Sequence, residues 1–359
     1  MRPKIVLFAV FALALVLCCA NQTQFVKAQS FSSIDINSDG SVSPSIASIQ
    51  QVGDIYKLTA NINDTSLIVL RNNIVLDGQG FNVQGSEIYG SGQAAINLKC
   101  TNVTVTDFHI SGWPVGVVGV FDNNVIIGNN FTNNGYDVAI YANNYNVTGN
   151  YIASERIVGN NNVISQNVIS LGDFATGFWI SSSSGTIIEA NDVTMTKETT
   201  FFISTDNGNF KVYHNNFLNI EVNTGGAFLL IFTYPQHNSI VFPPWDNGYP
   251  SGGNYWSDYA SRYPNATEID NSGIGNTPYV SSTAPEAIDN YPLMTMNNFS
   301  KPLILSQPNQ NPSQSITTSP SVPEFSSQIL GITLVIAMVT VLSAVIVVKK
   351  RMIGKIQRG

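Results

Sequence analysis

Five stretches of this chain align without a gap: VIIGNNF (residues 125–131), NVTGNYI (146–152), VISQNVI (163–169), IIEANDV (187–193) and KVYHNNF (211–217). Each carries an asparagine with an apolar residue two places on. The pairs are Asn129/Phe131, Asn150/Ile152, Asn167/Ile169, Asn191/Val193 and Asn215/Phe217, spaced 21, 17, 24 and 24 residues apart. A period near ~22 residues is the mark of a stacked array of supersecondary units. The apolar runs around each asparagine are too short for helices and lack a 3.6-residue period, and turn residues such as Asn133-Asn134-Gly135 and Asn143-Asn144 separate them.

One architecture fits: a right-handed parallel β-helix with one repeat per turn of the chain and strands stacked ~4.8 Å apart. Residues ~55–219 then hold roughly seven coils or more. Leu67-Ile68-Val69-Leu70 and Ile74-Val75-Leu76 extend the pattern toward the N-terminus. The recurrent asparagine belongs at a bend, where its residue type tolerates the left-handed conformation. Its amide is placed to bond the asparagine one coil away, so Asn129, Asn150, Asn167, Asn191 and Asn215 are expected to form a structural ladder.

The 359-residue chain is 43% hydrophobic but only 11% charged, which excludes disorder. All 23 acidic residues lie between Asp35 and Glu324, with only eight Lys or Arg among them, a balance of −15. Nucleic-acid binding requires clustered cations, so that partner is excluded, and a polyanionic glycan is disfavoured. Once the leading apolar segment is removed, Cys100 is the sole cysteine and no internal disulfide forms.

The ends read as address labels. Residues 1–28 have a basic start, an apolar stretch and a small-residue cleavage site, the pattern of a secretory signal. Residues 29–231 form the β-helix and 232–300 an aromatic, Gly- and Pro-rich cap. Residues 301–328 form a Pro/Ser/Thr linker. The uncharged run at 329–348 is long enough to span a ~30 Å bilayer core. The basic tail at 349–359 then stays in the cytoplasm, which leaves the β-helix on the cell surface. Val322-Pro323-Glu324-Phe325 before that run resembles archaeal PEF-type sorting signals, which implies a tail exchanged for a lipid in some proteins. Sequons at Asn63, Asn102, Asn130, Asn146, Asn265 and Asn298 are glycosylation candidates of an exported chain, and Asn21 would leave with the signal.

VGDIY (52–56) through LDGQG (76–80), the Asn-bearing coils, and the closing motifs GNYWSDY (253–259), GIGNTPY (273–279) and DNYPL (289–293) resemble the NosD-like β-helix proteins over residues 34–296. That resemblance implies a surface or periplasmic protein. It is associated with carbohydrate binding, with sugar hydrolysis in some members and with copper-site assembly in the namesake. Relatives carry an acidic loop before Gly-Ile-Gly that looks like a calcium site; here Glu268, Asp270 and Asn276 supply the remaining oxygen ligands.

Three functions stay open. Sugar hydrolysis needs two carboxylates ~5–9.5 Å apart, and Asp122, Asp137, Glu155 and Asp173 are the candidates, all read as solvated beside turns. Trp245, Tyr255, Trp256 and Tyr259 either stack on sugar rings or cap the open end of the coil. Copper would use His109, His214, His237, Met294 and Met296, which are scattered. A non-catalytic surface protein that binds carbohydrate or other surface proteins is the expected function. The 17-residue unit that holds Glu155 is where a dent in the surface is expected.

Overall fold

The computed structural model describes residues 32–86, 93–171, 178–181, 184–195, 200–205, 210–219, 228–233, 244–281 and 288–299. The chain divides into two compact units, Met1–Pro308 and Asn309–Gly359, and every described residue belongs to the first. The leader, the linker, the apolar run at 329–348 and the basic tail lie outside the described residues. Among the described residues no helix is long and apolar enough to cross a membrane.

The fold is all-β, and its strands are mostly parallel. Three sheets of ten, nine and nine strands, named A, B and C here, form a β-helix. One coil runs through Thr65–Val69 in sheet A, Ile74–Asp77 in sheet B and Asn82–Gln84 in sheet C. The chain then returns to sheet A at Ala94–Leu98. Each strand bonds the equivalent strand of the next coil in register, as in Val105↔Ile126 and Ile110↔Phe131. Sheet C has nine rungs, from Ile62–Asn63 to Tyr255–Trp256. The last of these pairs in parallel with Asn216–Leu218, so the stack continues into the region read from sequence as the cap of the β-helix.

Period-two alternation turns every second side chain inward, and the in-register stacking lines these up as columns. Sheet B stacks Leu76, Val105, Ile126, Val147, Ile164, Ile188 and Val212, and sheet C stacks Val83, Ile110, Phe131, Ile152, Ile169, Val193 and Phe217, all buried. Each such side chain contributes about 1.5–3 kcal/mol of hydrophobic stabilisation.

The bend from sheet B to sheet C is where the asparagines sit, and here the structure corrects one expectation. The left-handed residue is the one before each asparagine: Gly128 (φ 68), Gly149 (φ 65), Gln166 (φ 54), Ala190 (φ 55) and His214 (φ 58). That twist leaves the asparagine side chain pointing into the coil, fully buried. Its Oδ1 accepts from both the backbone N and the Nδ2 of the preceding asparagine, at 2.8 and 3.0 Å for Asn129 onto Asn150. Its Nδ2 donates to a carbonyl such as Ile126 O, 2.8 Å from Asn150. The ladder continues through Asn167, Asn191 and Asn215 to Asn254, and it ends where Asn254 N donates to Asp289 Oδ2 at 2.7 Å.

Both ends are closed. Two antiparallel pairs, Ser32–Ile36 with Val42–Ser43 and Ile49–Val52 with Ile55–Leu58, cover the N-terminal edge. At the other end Phe217, Trp256 and Tyr279 stack with ring centroids 4.5 and 4.1 Å apart.

Candidate functional site

The shortest unit of the repeat organises the site. Between the sheet C column and the sheet A column, the coil of Phe131 takes seven residues to reach Val138, whereas the next takes three, from Ile152 to Glu155. The shortening therefore falls on a single corner. Asp137 fills the gap it leaves. Its Oδ2 accepts from Ala153 N at 2.5 Å and Ser154 N at 3.2 Å, and its Oδ1 accepts from Asn134 Nδ2 at 2.9 Å. Burial still pushes the Asp137 carboxyl above the usual carboxylate range.

The short corner also sets the phase of the next strand, Glu155–Val158. Glu155 pairs with Val138 and so takes the inward position in the column of Leu67, Ile96, Val117 and Val138. It is fully buried, and among the described residues neither carboxyl oxygen has a hydrogen-bond partner. Burial, with Asp137 nearby, pushes it up to about 8, so it is protonated at neutral pH. Asp137 and Glu155 are thus not the solvated turn carboxylates expected from sequence: four residues were lost at the corner, and a residue adjacent to a turn became a core residue. A carboxyl sealed in this way reaches no substrate.

Alternation sends the next residue outward. Arg156 lies on the outer face of sheet A, in register between Ala139 and Trp179. Its guanidinium stands over two rings, 5.8 Å from the Tyr141 centroid and 5.2 Å from that of Trp179. Its Nε is buried and has no hydrogen-bond partner among the described residues. Tyr141 is 46% exposed, and Val120 and Phe121, one coil earlier, are exposed beside it. The strands then run into a polar corner. Asn143 N donates to Asp122 Oδ1 at 2.8 Å, Asn160 N to Asn143 Oδ1 at 2.8 Å, and Ser184 N to Asn160 Oδ1 at 2.8 Å. A cation, two aromatic rings and a row of amides share one surface. Sequence reading missed Tyr141, Arg156 and Trp179. The signal was there: counting back eight residues from Val163, as from Asn146 to Val138, puts Glu155 inside and Arg156 outside.

The other candidates are dispersed. Asp122 is half-buried at its corner, held by Asn143, and Asp173 lies outside the described residues. Trp245, Trp256 and Tyr259 are 1%, 3% and 2% exposed, leaving no face for a sugar, while Tyr255 is half-buried. These rings close the end of the coil. In the candidate calcium loop, Glu268 and Asp270 are exposed, and the Asn276 amide bonds Thr267 through both its atoms, at 3.1 and 2.9 Å. Among the described residues no three His, Cys, Asp or Glu side chains gather where they could hold a metal ion. Of the sequons, Asn63, Asn102, Asn146, Asn265 and Asn298 are exposed and Asn130 is half-buried.

The donors that copper would need do not fit such a site. His109 and His214 both flank sheet C, but five rungs, or ~24 Å, apart. His214 Nε2 is bonded to Ser251 O at 2.8 Å. Cys100 is buried and its thiol is pushed up to about 11, Met294 is packed against the core, and His237 lies outside the described residues.

Comparison with known families and proteins bears on the whole coil. No curated protein and no solved structure matches the chain. Residues 51–261 match the family described as periplasmic copper-binding protein (NosD). That segment holds most of the coils, the asparagine ladder and the short unit, and it is more than half of the chain, which therefore belongs to the NosD family.

Proposed function

We propose that the protein is exported, tethered by the apolar run at 329–348 with its β-helix outside, and acts as a non-catalytic glycan-binding module of the cell surface. The observation that carries this reading is the row Tyr141, Arg156 and Trp179 on the outer face of sheet A, beside the amides of Asn143 and Asn160. Aromatic faces stack on sugar rings, and amide and guanidinium groups bond hydroxyls. The sealing of Asp137 and Glu155 argues against turnover, since a glycosidase needs both carboxyls at the scissile bond. The leader and the periplasmic description of the family support export. The length of the apolar run, followed by basic residues, supports the tether.

The test is an immobilised panel of oligosaccharides probed with the full-length chain. The expected result is binding to a subset of the panel, weakened at least tenfold by Tyr141→Ala and by Trp179→Ala, with Trp256 fluorescence and the thermal midpoint preserved. Binding unaffected by either substitution would remove the site from the account.

A further inference from the structure

We propose that the Tyr141–Arg156–Trp179 row recognises a single carboxylate-bearing sugar, such as a uronic acid residue within an otherwise neutral glycan, with Arg156 pairing the carboxylate. This deepens the glycan-binding reading and rests on it. Two observations carry it. First, among the described residues Arg156 has no carboxylate partner. Lys57, Arg71 and Arg262 pair with Asp77, Asp54 and Asp258, whereas the acid adjacent to Arg156, Glu155, is turned to the opposite face of the sheet. Second, the guanidinium is held in place before any ligand arrives, flanked by two rings at 5.8 and 5.2 Å. A fixed planar fork loses little entropy when it binds a carboxylate through two parallel bonds.

The balance of −15 across the body sets the limit on ligand charge. It repels a polyanion, while screening over ~8 Å at physiological salt lets one isolated carboxylate reach one isolated arginine. The class is therefore a sparsely acidic glycan rather than a polyuronate.

The experiment uses the purified full-length chain and three matched tetrasaccharides: one ending in glucuronic acid, its methyl ester, and one ending in glucose. The expected result is that the acid binds at least tenfold more tightly than the ester or the neutral sugar. Arg156→Gln should erase that preference and Arg156→Lys should leave it partial, both with unchanged thermal midpoints. Equal binding of all three sugars, lost in Trp179→Ala, would overturn this inference and leave the glycan reading standing. A preference that survives in Arg156→Gln would also overturn it. Binding of none of the three would overturn the inference, while binding of other sugars on the panel would leave the glycan reading standing.

Discussion

A glutamic acid inside a column of valines, leucines and isoleucines makes Glu155 the most conspicuous residue of the core. Its pKa rises from an ordinary 4.5 to about 8, chiefly by desolvation. The sign follows from linkage. Between those two values the folded state holds a proton that the unfolded state has released, so stability falls as pH rises through the window. The full cost above pH 8 is on the order of 5 kcal/mol. We predict that Glu155→Leu flattens the dependence of the thermal midpoint on pH between 5 and 9 and raises the midpoint at pH 9; a steeper or unchanged pH profile would show that Glu155 is not the titrating group. Sequence located this residue in the short unit but gave the wrong environment. A residue next to a turn is normally solvated, and only the loss of residues at one corner, read together with the strand phase, turns it inward. The same reasoning explains why Arg156 went unnoticed: its importance lies in a register, not in a motif.

At the level of the strand and its bend, the repeat was legible because buried amides need partners at fixed positions. Every coil must therefore return an asparagine to the same place. What the spacing could not tell was which residue carries the backbone twist. The aligned stretches hold glycine at that position twice, in VIIGNNF and NVTGNYI, and the other coils put Gln166, Ala190 and His214 there with φ between 54 and 58. A left-handed alanine is strained where glycine is not. Ala190→Gly is accordingly expected to stabilise the chain by about 0.5–1 kcal/mol, and Gly128→Ala to destabilise it by a similar amount. Removing the adjacent amide is a larger change. Asn191→Ala deprives Asn167 of an acceptor for both its backbone N and its Nδ2, so a loss of roughly 2–4 kcal/mol is expected in denaturant titrations. Asn160→Ala, at the exposed corner, should cost less than about 1 kcal/mol. Similar losses at the two sites would contradict the ladder as the internal frame of the coil.

Across the whole molecule, the ladder and the core must both be terminated, and the segment from residue 244 onward does both. Asp289 receives the last asparagine N–H, the Trp256 indole at 2.9 Å and Tyr291 N at 3.1 Å, while Phe217, Trp256 and Tyr279 cover the last rung. Burial outweighs these three donors and raises Asp289 from 3.8 to about 7. Its protonation therefore favours the folded state in the same direction as that of Glu155. Asp289→Asn should flatten the lower part of the pH profile, from about 4 to 7, and leave the upper part to Glu155. The closing motifs were legible in sequence as a family ending, and their aromatics were weighed as either cap or sugar platform. Burial decides for the cap in the case of Trp245, Trp256 and Tyr259, and the sugar platform is proposed instead on the side of the coil, around an arginine. The most direct test of that claim is a structure of the chain soaked with a bound oligosaccharide, with the soak solution assayed for cleavage products. The account predicts an intact sugar ring against Tyr141 and Trp179, its polar groups on Arg156 and Asn143. A sugar seated elsewhere, or cleaved beside a carboxylate pair, would contradict it.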